Sequence, residues 1–343
     1  EVPGKIRMPF VSTNPDMFPR RPIFCSILSN TLLSMVPGIS GAGPTPEKTL
    51  LTPILDAELI AEGSISSMPV KPNTPTGCPT PASITRAVME LTGLSPLFIN
   101  AGLVHRPTVP CLDVYGTPGD DPRFGDAVPD AELLFGRGEL LGAFLGQVSD
   151  LLVLGECVPG GTTTSLCVLR ALGYPARVSS SYIENPVSMK EEIWRIVAGR
   201  ISESGLSSPL DTVRIGGDPM IAVAAGIAAR YPGNLFLAGG TQMLSVAALV
   251  RAIGRPAPRI ATTCYVRDDA SANFAEMAGR IGSEVFYIDP GFGELGHSGL
   301  ARYCIGEVKE GMGAGGAMLL AFLQGYSPAA IRGKILEFAH AYS

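Results

Sequence analysis

Two stretches of this 343-residue chain carry residue types that could do chemistry together. In LLVLGECVPGGTTTSLCVLRALG, Leu151 to Gly173, an apolar run leads into a glycine-rich turn and then three threonines. LLVLG reads as an interior parallel strand and TTTSLCVLRAL as a helix packed on it. The unpaired N–H groups of Gly160, Gly161, Thr162 and Thr163, at the positive end of the helix dipole, would face a ligand and suit a phosphate or carboxylate. Glu156 at the strand tip adds a carboxylate that could accept from ribose hydroxyls. A phosphorylated sugar is therefore the first ligand class suggested. Gly155 to Thr162 also has P-loop glycine spacing, but Gly161 stands where that motif needs its lysine, which argues against ATP hydrolysis. The plain alternative is a strand–turn–helix corner with a threonine cap.

The second stretch is GEVKEGMGAGGAMLLAFLQG, Gly306 to Gly325. Gly311, Gly313 and Gly316 match GxGxxG, but no strand is expected after the helix and too little chain remains for a dinucleotide-binding crossover. The glycines instead let backbone approach closely and leave Glu310 as a carboxylate at a crowded helix start. Burial would raise its pKa and suit it to accept a proton near neutrality. Glu310 could equally do no more than complement a helix dipole. In RIGGDPM, Gly217 and Asp218 precede the N1 proline Pro219, so Asp218 is a helix N-cap, a ligand contact or both. LAGGTQM ends a buried strand at Gly239 and Gly240 and starts a helix at Thr241. Three glycine-rich strand ends in one parallel sheet converge on one edge and argue for one extended site.

These turns need a framework. Expected strands are 22–28, 96–100, 151–155, 234–240, 260–266 and 284–289. They alternate with helical patterns at 83–93, 162–173, 189–201, 219–231 and 243–254. That rhythm predicts an α/β fold, a Rossmann-like, mostly parallel sheet with helices on both faces, binding ligands at the carboxyl ends of its strands. The main nucleotide-binding domain is expected over 20–310, with a small helical subdomain from about 31–70 and 314–343. The Pro/Gly/Ser/Thr-rich stretches 31–82 and 103–130 read as functional walls or lids, or as partly mobile excursions.

Composition excludes several functions. A net charge of −5 with 17% charged residues gives no footprint for a nucleic-acid backbone or an acidic membrane. Seven scattered cysteines, never in CxxC spacing, and three histidines imply neither a disulfide framework nor a metal site. No apolar run reaches the length of a membrane span, and EVPGKIRMPF has no apolar leader core, so a cytoplasmic protein is expected. The low charged fraction suggests that part of the apolar surface is a subunit interface.

GECVPGGTTT, GGDPM, AGGTQM and KEGMGAGGAM, in this order and spacing, resemble the nicotinate-nucleotide:dimethylbenzimidazole phosphoribosyltransferase family. SNTLLSMVPGISGAGPTPEKTLLTPILDAELI, PTPASITRA and NAGL point to its divergent branch. The resemblance implies transfer of a phosphoribosyl group from nicotinate mononucleotide to a benzimidazole-type base, giving α-ribazole phosphate for cobamide assembly without a metal or cofactor. It puts Glu310 on the general base, Glu156 on the ribose-facing acid and Gly160–Thr163 on the phosphate turn. Ile215–Asp218 and Gly239–Thr241 fall on two further nucleotide-binding segments. Lys309 stands where the other branch usually has glycine, and Gly239 where it has aspartate. A homodimer follows from the same resemblance. The phosphate's basic partner, Lys190 or Arg195, is placed by spacing only. The residues of the base pocket are not placed, leaving a benzimidazole, a phenol or a purine open as acceptor. A non-catalytic nucleotide or base binder, and a dinucleotide-dependent oxidoreductase, are the competing readings.

Overall fold

The computed structural model describes residues 9–342. Most of EVPGKIRMPF, read as having no apolar leader core, and Ser343 of the expected helical subdomain, lie outside them. Seven strands, β1 (Pro22–Ser29), β2 (Leu97–Gly102), β3 (Leu112–Asp113), β4 (Leu151–Cys157), β5 (Asn234–Ala238), β6 (Arg259–Thr263) and β7 (Val285–Ile288), form one sheet in the order β3-β2-β1-β4-β5-β6-β7. Every ladder is parallel. Strand order reverses between β1 and β4, where the loops leaving the two strands part and open a crevice.

The strands are buried on both faces, as a fully covered parallel sheet requires. Leu152 and Leu154 of β4 join one apolar cluster with the helices Ala131–Val148, Pro219–Arg230, Thr241–Ala252 and Phe274–Ile281. Leu151 and Val153 point the other way, into a second cluster with Thr52–Glu62, Pro81–Thr92, Ala314–Leu323 and Pro328–Ala341. Helices Thr52–Glu62, Ala314–Leu323 and Pro328–Ala341 each pack on Pro81–Thr92 and share one apolar core with the sheet. A third cluster beneath Val187–Ser204 includes Leu33, Ile39, Cys167 and Ile193.

Several elements depart from the sequence expectation: β3 and the helix Phe274–Ile281 were not expected, and β5 ends at Ala238, two residues early. The strand expected to run to residue 266 stops at Thr263, where the chain turns into the short helix Cys264–Arg267. There the Thr263 hydroxyl donates to the Lys309 carbonyl at 2.5 Å, so this strand end is tied to the distant Glu310 segment. The long helix Ala131–Val148 was not expected, because four glycines dilute its pattern. Those glycines are what lets it pack. A Cβ on Gly138 would lie 2.3 Å from the Val223 carbonyl oxygen, and one on Gly226 2.1 Å from that of Phe135. The two helices thus cross with their backbones in contact.

Gly138→Val should lower the chemical-denaturation stability by about 1–3 kcal/mol through overpacking, whereas Gly136→Ala, with open space around its Cβ, should raise it by several tenths. An unchanged midpoint for Gly138→Val would show that the crossing is not this close.

Candidate active site

A cavity of about 870 Å³ opens at the carboxyl ends of the central strands. Its lining includes Glu156, Gly160, Gly161, Thr162, Gly240, Thr241, Lys309 and Glu310, so the three distant glycine-rich stretches reach one space. That volume suits a nucleotide with a second small molecule beside it.

One end is built for an anion. Gly160, at φ 82°, caps the helix Gly161–Ala171, whose first turn faces the cavity through Gly161 and Thr162, although two of the four N–H groups expected to be free are taken up by the turn itself, that of Gly161 donating to the Val158 carbonyl at 2.9 Å and that of Thr163 to the Gly160 carbonyl at 3.0 Å. Lys190, only 2% exposed, donates from behind this wall to the Thr162 hydroxyl at 3.2 Å and the Ser179 carbonyl at 2.6 Å. Burial, reinforced by the Lys309 ammonium, depresses its pKa to about 7. Lys309 donates to the carbonyls of Ser180 at 2.8 Å and Gly306 at 3.0 Å and pairs with Asp269 at 3.4 Å. The two lysines thereby clamp Ser179–Ser181, which lines the cavity.

The middle and far end are acidic. Glu156, 3% exposed, accepts from the Gln242 side-chain amide at 3.0 Å. Desolvation, with Asp218 and Glu310 nearby, pushes its pKa up to about 8. Glu310 is gripped by backbone: one oxygen accepts from the amide of Gly311 at 3.1 Å, the other from that of Thr263 at 3.2 Å, and Gly315 N–H reaches both at 3.2 Å. Burial still raises its pKa to about 7 against those donors. Only glycine fits at position 315, since a Cβ there would lie 2.7 Å from a Glu310 oxygen. The result is an oriented carboxyl, partly open to the cavity and poised to exchange a proton near neutrality.

Not every expected residue arrives. Thr163, Gly217 and Asp218 are absent from the lining. Asp218 is fully buried, accepts from the Thr164 hydroxyl at 2.5 Å and from Ile221 N–H at 3.3 Å, and serves as the N-cap of Pro219–Arg230. Its carboxyl is thus spent inside the fold, on the capping reading. Arg195 is exposed on its helix, and neither it nor Lys190 is in the lining, but Lys190 reaches two residues that are, Thr162 and Ser179. The 31–82 stretch does supply cavity wall, through Gly38–Pro44, Asn73–Thr76, Thr80 and Pro81, but no residue of 103–130 does. That stretch follows the β3 edge, where Gly119 N–H donates to the Asn30 carbonyl. The helix after Gly311–Gly316 is succeeded by another helix, Pro328–Ala341, and by no strand, so the GxGxxG match has no crossover. Sequence reasoning missed Asp56, Gln242, Tyr182 and Ser179–Ser181 in the lining. Only Gln242, directly after the AGGT turn, carried a local signal.

A seven-stranded parallel sheet with helices on both faces and a cavity at its switch point is an α/β, Rossmann-like fold. The chain belongs to the UPF0284 protein family. It is 43% identical over 330 residues to the UPF0284 protein of Methanosarcina mazei, covering 92% of this chain and 94% of that one. To the relative from Thermococcus gammatolerans it is 42% identical over 324 residues, covering 92% and 96%. To that of Methanothermobacter thermautotrophicus it is 40% identical over 337 residues, covering 94% and 93%. No family model matches the chain. In fold it is similar to a nicotinate-nucleotide-dimethylbenzimidazole phosphoribosyltransferase from Thermus thermophilus, with TM-score 0.61 and 15% identity, covering 93% of this chain and 84% of that one. A second structure, CobT of the same organism, gives TM-score 0.60 at 17% identity, covering 94% and 85%. The chain fits a divergent branch on that fold. Among the described residues no helix is long and apolar enough to cross a membrane.

Glu156, Glu310 and Asp218 all have folded-state pKa values raised above those of free carboxyls, to about 8, 7 and 6. The folded protein therefore holds protons that the unfolded chain releases, and stability falls as pH rises from about 5 to about 7, above which Lys190, neutral in the fold and charged in the unfolded chain, acts in the opposite direction. Thermal unfolding should show a higher midpoint at the acidic end, with a shallower dependence in Glu156→Gln. A midpoint rising steadily over this window would contradict the burial of these acids.

Proposed function

We propose that the cavity binds nicotinate mononucleotide and an aromatic azole and transfers the 5-phosphoribosyl group between them, with Glu310 as general base. The observation that carries this reading is a backbone-gripped, buried carboxyl in the same cavity as an anion-binding helix start backed by Lys190. The donor phosphate sits on Gly160–Thr162, and the ribose lies along Glu156, toward Gly240 and Thr241. The azole nitrogen attacks the anomeric carbon as the bond to the nicotinate nitrogen breaks. The bonding pair leaves with nicotinate, and the azole N–H proton passes to Glu310.

Charge then explains the acids. Nicotinate departs as a neutral pyridine ring, so positive character builds on the ribose, and Glu156 stands where it would be stabilised. Holding nucleophile and leaving group in line on opposite faces of the sugar supplies the larger share of the rate and implies inversion at that carbon. Fold likeness to the Thermus enzyme supports the reaction class. The same cavity on a non-catalytic protein would leave the grip on Glu310 without a purpose.

Base-dependent nicotinate release should fall by ~10²- to 10⁴-fold in Glu310→Gln with donor affinity retained. It should rise with pH through an apparent pKa near 7 in the wild type. Release insensitive to Glu310→Gln would remove this residue as the base. Lys190, with its pKa near 7, should gain a proton when phosphate arrives, so donor binding at about pH 8 takes up protons. Calorimetry in buffers of different ionisation enthalpy should show this uptake, and Lys190→Met should abolish it. Equal uptake in the variant would place the phosphate elsewhere.

A further inference from the structure

Asp56, on the helix Thr52–Glu62, lines the same cavity and has no part in the mechanism above. Among the described residues, the Cys157 thiol, 3.8 Å away, is its carboxyl's hydrogen-bond partner, and no lysine or arginine is paired with it. Burial raises its pKa to about 7, only weakly opposed by that thiol. A carboxyl built into a ligand cavity with only a weak thiol donor from the protein is complementary to a stronger donor on the ligand.

The strand decides which ligand. Consecutive β4 side chains point to opposite sides of the sheet. Glu156 turns toward Gln242 and the phosphate-binding helices, and Cys157 turns to the other side, toward Asp56. Asp56 thus stands across β4 from the proposed phosphoribosyl site. The helix that carries Asp56 packs on Pro81–Thr92, whose Pro81 lies against Gly311, and Gly311, also in the cavity lining, directly follows Glu310. This is the side from which a second substrate would present its N–H to Glu310.

Resting on the phosphoribosyl-transfer reading, we propose that Asp56 selects the acceptor: an aromatic azole carrying a hydroxyl or amino group on its outer ring edge, in preference to one with a purely hydrocarbon edge. A methyl group against Asp56 would bury the carboxyl unpaired. A donor of the same size would satisfy it, and sites built around such a bond reject analogues lacking it far more strongly than apolar pockets reject a missing methyl.

The matched probes are 5-aminobenzimidazole and 5-methylbenzimidazole, which are close in size. Each is assayed for nicotinate release from nicotinate mononucleotide and for equilibrium binding by calorimetry. The wild type should favour the amino compound by at least ~10-fold in kcat/KM and in affinity. Asp56→Leu should erase or invert that preference and Asp56→Asn should weaken it, the donor KM holding in both. Equal preference in the wild type, a preference surviving Asp56→Leu, or a raised donor KM in its place would overturn the assignment. Binding preference lost in Asp56→Leu, but with no nicotinate released by any base, would sink the transferase reading while supporting Asp56 as the reader of the base.

Discussion

The site depends on one close crossing of backbone. The tip of β4 and the loop after Glu310 meet at Gly155 and Gly313, where a Cβ on Gly155 would lie 3.0 Å from the Gly313 α-carbon. At the same place the Met312 N–H donates to the Glu156 carbonyl at 3.0 Å. Residues more than 150 positions apart in sequence are thereby fixed within one hydrogen bond of each other, beside the switch point of the sheet. The crossing does not act alone. Thr263 N–H and Gly315 N–H close around the Glu310 carboxyl, so the strand end, the loop and the following helix share one acid as their common acceptor. The chain must bring its last quarter back over the sheet for this, and the helix Ala314–Leu323, buried along almost its whole length, anchors that return.

Charge is distributed with the same economy. Acids at the centre are raised by burial and Lys190 at the anion end is lowered by it, so both kinds of group titrate near neutrality. The cavity thus carries little fixed charge before a ligand enters, although it is lined by ionisable groups. A nucleotide monophosphate brings the negative charge that favours the ammonium form of Lys190, and an azole brings the proton that Glu310 can receive. Lys309 is different in kind: bound to three carbonyls and to Asp269, it is committed to holding the wall.

Much of this was legible in sequence, for identifiable reasons. The β4 turn showed itself because a fully buried strand must be apolar without a break and because the turn after it needs glycine. Glu310 was visible as the acid ahead of closely spaced glycines. Asp56 was not, since one acid in an amphipathic helix reads as a solvated residue and only the fold turns it toward the cavity. Ser179–Tyr182 has no period to betray it. The stretches 31–82 and 103–130 share the same proline-rich texture, yet only the first lines the cavity, because texture does not say to which edge of the sheet a loop will run. In Ala131–Val148 the glycines that obscure the helix in sequence are the ones its packing requires.

The central claim is a direction: phosphate at the Gly160–Thr162 helix start, sugar along Glu156, and reacting base toward Glu310. A crystal structure with nicotinate mononucleotide bound tests it most directly. The account predicts phosphate oxygens within hydrogen-bond reach of the Gly160 and Thr162 N–H groups, Lys190 close behind, and the anomeric carbon between Glu156 and Glu310. Phosphate seated on the Gly311–Gly316 turn, or a nucleotide bound outside this cavity, would contradict it.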